Sequence, residues 1–224
     1  MCSSDLGAKW DEAMRQSVRA MLVSPSFLFR VEQDRPGIEP QRVSDWELAA
    51  RLSYFIWSTM PDDTLFALAR EGKLSEPATF EAQVRRMLAD PKARMLAENF
   101  GSQWLRTREL RSATRPANSA LPEFTPALRD AMAEEPIAFF SALLHDDRPL
   151  TDCLDADYTF VNAELAKFYG IAGVSGADFT RVALADRTRG GVVTMAGVLT
   201  LTSYPRRSSP VLRGKWIMEE ILGT

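Results

Sequence analysis

From Trp10 onward, apolar positions recur at helical spacing. The runs are punctuated by Ser, Thr or Asp followed by Pro at their starts and by Gly at their stops. Trp10, Met14, Val18, Met21 and Leu22 predict an amphipathic helix over 10–23, and Ser24-Pro25 opens a short one after it. Residues 34–43, with Pro36, Gly37 and Pro40, read as a loop. Ser44 and Glu47 have capping-box spacing. Behind them Trp46, Ala49, Ala50, Leu52, Phe55, Ile56 and Trp57 cover nearly the whole circumference of a helix. Glu47 and Arg51 are left as a polar stripe one turn apart, spaced to pair. A helix apolar nearly all round is a buried one, so this segment is expected to be the centre of the first bundle. Trp46, Leu52, Ile56, Trp57, Phe100 and Trp104 are expected to share one core.

Further helices are predicted over 62–71, stopped by Gly72, over 75–89, and from Asp90-Pro91 to about Leu110. Asn99 and Gln103 lie one turn apart beside the inner face of the last, as core polar candidates that either fix packing or touch a ligand. Residues 111–123 are polar, carry Pro116 and Pro122, and read as a connection. Thr125-Pro126 starts a long helix to His145 with Pro136 inside it, where a kink is expected. Residues 151–157 form a turn region, 160–169 a helix stopped by Gly170, and 179–184 a short strand. The fold class is therefore mainly α, a multi-helix bundle with at most one or two short strands in the C-terminal third.

Composition adds limits. At 224 residues the chain holds one large domain or two small ones, long enough for a core without disulfides or metals. The net charge of −3 argues against general nucleic-acid binding. No apolar run reaches the ~18 residues of a membrane span, and Met1 to Trp10 lacks a signal-peptide pattern. Met1 to Leu6 reads as foreign to the coding sequence and is set aside. Cys153 then stands alone and reads as a small buried hydrophobe. The single histidine, His145, makes a histidine-based metal site unexpected, and zinc-type spacings, phosphate loops, dinucleotide fingerprints and nucleophile elbows are missing from the sequence. Asp62-Asp63 reads as a helix cap. Asp152, Asp155 and Asp157 lack the glycine and distal glutamate of a calcium loop, so no metal site is assigned.

Charge is distributed unevenly. Between Arg187 and Lys215 there are six basic residues and no acidic one, while the remainder of the chain carries a net −9. Ser209-Pro210 opens a helix there. Its first free amides, of Val211 and Leu212, together with Arg207 and with Arg206 and Arg213 as further contacts, form a candidate anion-binding site. Ser209 competes for one amide as a cap. The competing reading is that these charges pair internally, Arg213 with Glu220 and Lys215 with Glu219.

The segments SPSFLFRVE, LSYFIWSTMPDD, LADPKARMLAENFGSQWL, LDADYTFVNAELAKFYGI and RGGVVTMAGVLTLTSYPRRSSPVLRGKWIMEEILGT resemble the planctomycete-type cytochrome-c-associated proteins, in which domains of unknown function 1595, 1592 and 1588 follow one another. The resemblance implies an end of the first domain over 7–43, a helical core domain over 44–170 and the start of a third over 186–224, continuing past Thr224. It implies an exported protein of the periplasm, cell envelope or exterior. Any haem c would be carried elsewhere in the polypeptide, since no Cys-x-x-Cys-His occurs here. Expected partners are other domains of the same polypeptide, a c-type haem domain among them, and a small anion or anionic glycan. Arg206 departs from the family's small polar residue, whereas Arg207, Ser209 and Pro210 fit its pattern. The expected function is a helical binding or scaffold module. The alternatives are an enzyme domain with a basic cleft and a docking module for electron transfer. With no packing partner in the chain, the helix at 210–222 is expected to be the first to melt.

Overall fold

A computed structural model describes residues 10–29, 32, 42–112, 124–185 and 188–224. The expected loop at 34–43 and connection at 111–123 fall mostly outside them. The chain separates into two compact units, Met1–Ser53 with Met60–Phe80, and Tyr54–Thr59 with Glu81–Thr224.

The first unit holds α1 (Trp10–Leu22), α2 (Pro25–Leu28), most of α3 (Asp45–Ile56), α4 (Asp63–Glu71) and the start of α5 (Pro77–Ala89). The capping chemistry is as the sequence implied. Glu47 accepts from the Ser44 amide at 2.7 Å, Asp62 accepts from the Leu65 amide at 3.0 Å, and Gly72 ends α4 in the left-handed region. Asp45 reaches along the chain to accept the Leu74 amide at 2.8 Å. Arg51 pairs with Glu32 rather than with Glu47, which the Ser44 cap engages. Two expectations need correction. The amphipathic helix α1 exists, but neither it nor α2 buries a residue. The segment α3 is not a buried central helix: Ala49, Leu52, Ser53 and Ile56 are buried, while Trp46 is 50% exposed and Tyr54 and Phe55 are open to solvent. Trp46 packs on Phe66 and does not join the expected core, whereas Phe100, 46% exposed, sits at its edge against the rings of Trp104 and Phe140.

In the second unit Trp57 is buried and donates its indole N–H to the Met87 carbonyl at 2.9 Å. The predicted helix from Asp90 is broken into pieces: a 3₁₀ turn Pro91–Ala93, α6 (Arg94–Leu96), a π turn Ala97–Gly101, α7 (Ser102–Trp104) and a 3₁₀ turn Thr107–Arg111. The long, extensively buried helix is α8 (Pro126–His145), which buries ten residues from Leu128 to Leu143. After it come α9 (Asp152–Asp155), β1 (Tyr158–Val161), α10 (Ala163–Tyr169) and β2 (Thr180–Ala183). Strand β1, whose last two residues were predicted as the start of a helix, pairs antiparallel with β2, and Asn162 caps the shortened helix behind it by accepting the Leu165 amide. Then follow α11 (Ala196–Leu201), the two-residue pair β3 (Ser203–Tyr204) and β4 (Arg207–Ser208), and α12 (Pro210–Trp216), prolonged by a π turn Ile217–Ile221.

Pro136 lies inside α8, and the carbonyl that its missing N–H leaves unpaired within the helix is that of Met132, four residues back. Helix α11 packs against that point, and a Cβ on Gly197 would stand 2.6 Å from the Met132 oxygen. Only glycine permits this approach. The C-terminal helix does have packing partners: Trp216 is buried and donates to the Leu105 carbonyl at 3.3 Å, while Trp104 donates to the Glu220 carbonyl at 2.5 Å.

Two glycine substitutions test this packing. Gly197→Ala is expected to destabilise the protein by about 1–3 kcal/mol through overpacking. Gly214→Ala in α12, where an added Cβ meets nothing within 4 Å, is expected to stabilise it by about 0.5–1 kcal/mol. Urea titrations that rank the two variants in the opposite order would contradict the assignment.

Candidate functional site

The residues with most chemical potential fall in two places in the second unit. The first is a buried polar network. Glu135, 1% exposed, sits in the middle of α8. Thr159 on β1 donates its hydroxyl to one carboxylate oxygen and Tyr169, the last residue of α10, donates to the other, both at 2.6 Å. The Tyr169 oxygen in turn accepts the Ala196 amide at 2.8 Å, at the start of α11. Arg189 stacks on the Tyr169 ring, its guanidinium carbon 3.9 Å from the centroid, and donates to the Thr194 carbonyl at 3.1 Å. Gly191 makes this turn possible: its φ is 61°, and a Cβ there would meet the Cys153 carbonyl oxygen at 2.4 Å.

Burial pushes the Glu135 carboxyl up to about 7, against the opposing pull of the Thr159 and Tyr169 hydrogen bonds and of the Arg189 charge. Burial and the neighbouring Glu135 push the Tyr169 phenol far above its ordinary range. A carboxyl near neutrality is suited to proton transfer, but the space beside it is only about 10 Å³, roughly one water. Its groups bond to one another.

The second place is a polar cleft of about 410 Å³ between the π turn and α8. The π turn closes with the Ser102 amide bonding back to the Ala97 carbonyl, which inserts one residue into the helix and displaces Asn99 from the inner face. Arg106 then adopts a left-handed φ of 60° and turns the chain so that Thr107, Arg108 and Arg111 come back beside Asn99 and Ser102. Arg94 is held between Glu98 at 2.8 Å and Glu134. Arg108 has no carboxylate partner among the described residues; one of its terminal nitrogens bonds the Asn99 side-chain oxygen at 2.9 Å. The Thr107 hydroxyl is buried and without a hydrogen-bond partner among the described residues.

The sequence-derived candidates are distributed differently. Neither Asn99 nor Gln103 is a buried core polar. Asn99 is half-buried, donates to Ser58 at 2.8 Å and lines the cleft, whereas Gln103 is exposed and donates to the Asn99 carbonyl. In the basic window, Ser209 accepts the Leu212 amide at 3.2 Å, so that amide is engaged in the cap. Val211 is 81% exposed, Arg206 and Arg207 are exposed, and Arg207 stands 5.1 Å over the Tyr204 ring. Arg213 is half-buried, with its Nε buried and unpartnered among the described residues. Lys215 pairs with Glu219 at 3.5 Å. Cys153 is buried, which raises its thiol pKa and keeps it protonated. Among the described residues no group of three or more His, Cys, Asp and Glu side chains is placed to hold a metal. Ser141 and His145 lie one turn apart on α8, but the Ser141 hydroxyl is buried and unbonded among the described residues, so it presents no nucleophile.

The network and the cleft both went unassigned in the sequence. Glu135 was detectable: its helical neighbours Ala131, Met132, Ala138 and Phe139 are apolar, and it lies off the polar stripe of Asp130, Glu134, Ser141 and His145. The cleft depends on the π turn and on Arg106, which no periodicity announces.

The family described as PSD4, a protein of unknown function (DUF1592), matches residues 43–171. The chain belongs to the PSD4 family. A second family, PSCyt3, also a protein of unknown function (DUF1588), matches residues 189–224. No curated protein and no solved structure matches the chain. Glu135, Thr159 and Tyr169 thus lie in the PSD4 range and Arg189, Thr194 and Ala196 in the PSCyt3 range, so the buried network joins the two families' segments inside one compact unit. The residues present do not make a haem attachment site: His145 is exposed at the end of α8, and the buried Cys153 has no Cys-x-x-Cys-His around it.

Because the folded Glu135 pKa lies above its ordinary value, the folded state holds this proton more tightly than the unfolded one. Stability from this group is fully present below pH ~4.5 and falls as pH rises to about 7, by on the order of 3 kcal/mol. Glu135→Gln should flatten that part of the stability–pH curve between pH 5 and 8 in urea titrations. Curves of equal slope for the two proteins would show that Glu135 is not the titrating group.

Proposed function

We propose that this PSD4 chain is a non-catalytic binding and scaffold module of a larger, exported, cytochrome-c-associated protein, and that its partners include a c-type haem domain of the same polypeptide. The observation that carries the reading is the Glu135–Tyr169–Ala196 network. The group best placed for acid–base work is sealed and engaged in holding the PSCyt3 segment to the PSD4 segment. A preassembled unit of this kind suits a platform that holds other domains in place. The family names support the association with cytochromes c, and that association favours an envelope setting. No helix among the described residues is long and apolar enough to cross a membrane. An enzyme acting through Glu135 would need a substrate beside it, and the space there is about 10 Å³.

The direct test is calorimetric titration of the chain with a c-type haem domain from a protein carrying the same PSD4 and PSCyt3 segments. Saturable binding with a dissociation constant of roughly 1–100 µM is expected, the range of a transient interdomain contact supplemented by covalent linkage. Lack of binding at about 1 mM haem domain would overturn the proposed partner.

A further inference from the structure

We propose that the cleft between the π turn and α8 is a ligand site for a polyhydroxylated carboxylate, a sugar of the uronic acid type. The inference rests on the binding-module reading and names what one of its surfaces takes.

Three features point to a ligand. The first is cationic capacity without internal neutralisation. Among the arginines lining the cleft, Arg94 is matched by Glu98 and Glu134, whereas Arg108 and Arg111 have no carboxylate partner among the described residues. Arg108 is held in place all the same. Its Nη2 bonds the Asn99 side chain, itself fixed to Ser58, and this leaves the other guanidinium donors open. An immobilised guanidinium with unused donors is preorganised for a carboxylate.

The second feature is Thr107. Thr107 lines the cleft, and its hydroxyl is buried and bonds to nothing among the described residues. Leaving a buried hydroxyl unmatched costs about 1–3 kcal/mol, and rotation of the Thr107 side chain toward the cleft would let a bound polar ligand supply the missing bond. Position explains why the hydroxyl is there: the left-handed turn at Arg106 delivers Thr107 and Arg108 to the cleft together.

The third feature is the character and size of the remaining wall. Glu98, Glu134, Asn99 and Ser102 offer acceptors and an amide rather than apolar surface. Carboxylate acceptors suit ligand hydroxyls and repel a second anionic group. The volume of about 410 Å³ is far larger than a bare oxyanion needs and falls within the roughly 300–1,000 Å³ of small-molecule sites. One anionic end toward Arg108 and Arg111, with hydroxyls toward Glu98, Glu134 and Thr107, satisfies every group named.

The test is thermal shift and calorimetry on the whole chain with glucuronate, glucose and sulfate at matched ionic strength. Glucuronate should bind saturably and raise the melting temperature as its concentration rises. Glucose and sulfate should each bind at least about tenfold more weakly, since each supplies half of the recognition. Arg108→Ala and Arg111→Ala, both at exposed positions, should each weaken glucuronate binding about tenfold or more. Thr107→Val, which removes the unmatched hydroxyl at constant shape, should weaken binding while leaving the free protein equally or more stable. Arg85→Ala, outside the cleft, should bind as the parent does. Equal affinity for glucuronate and glucose, or for glucuronate and sulfate, overturns the proposal, as does unchanged binding in Arg108→Ala and Arg111→Ala. A chain that binds the haem domain but not glucuronate loses this site and keeps the module reading; the converse result loses the haem partner alone.

Discussion

A buried carboxyl that accepts two hydroxyls is the constraint on which the second unit depends. Glu135 has no solvent to share its charge with, so its two oxygens must be met from within. Thr159 meets one from β1, and Tyr169 meets the other from the end of α10. This fixes both elements against the middle of α8. Tyr169 then has one acceptor position left, and the Ala196 amide fills it, which fixes the start of α11 as well. Four elements are thereby set by three side chains. The apolar core around them, including Phe139, Val161, Leu165 and Val198, supplies most of the burial but little of this directional specification.

The backbone exceptions serve the same arrangement. Pro136 leaves the Met132 carbonyl without its helical partner, and Gly197 is what allows α11 to lie against it. Gly191 takes a left-handed turn against the Cys153 carbonyl and brings Arg189 onto the Tyr169 ring. Beside the same middle stretch of α8, at Ala133, Glu134 and Ile137, the π turn and Arg106 do for the cleft what these residues do for the network. They take side chains that regular helical spacing would scatter and set them on one wall.

Helix boundaries were legible in the sequence wherever one local bond decided them: the caps at Ser44, Asp62 and Thr125 and the left-handed stop at Gly72. The predominance of helix followed from those signals, as did the short strand at 180–183. The choice of buried helix did not follow. Composition around the wheel favoured α3, with Trp46, Tyr54 and Phe55, but large aromatic residues are often only part-covered, and the small residues of α8 let several neighbours approach closely. Phe160 and Val161 fell in the expected helix 160–169 because their apolar spacing suits either state, and only the partner strand about twenty residues on decides it. In the candidate sites, Asn99 was singled out for the right neighbourhood and the wrong environment. Arg108, Arg111 and Thr107 were not visible, since a left-handed arginine gives no compositional sign. The C-terminal helix was expected to lack a packing partner within the chain; the contact of Trp216 with Leu105 supplies one and bridges more than a hundred residues.

The central claim is that the Tyr169 hydroxyl ties the segment from Arg189 onward to the body of the unit. Native-state hydrogen exchange at the Ala196 amide tests it most directly. In the parent protein this amide is predicted to be among the slowest to exchange, opening only with global unfolding. In Tyr169→Phe it should exchange about tenfold or more faster relative to the Leu165 amide, whose partner Asn162 is unaffected. Fast exchange of Ala196 in the parent, or an unchanged ratio in the variant, would contradict the account.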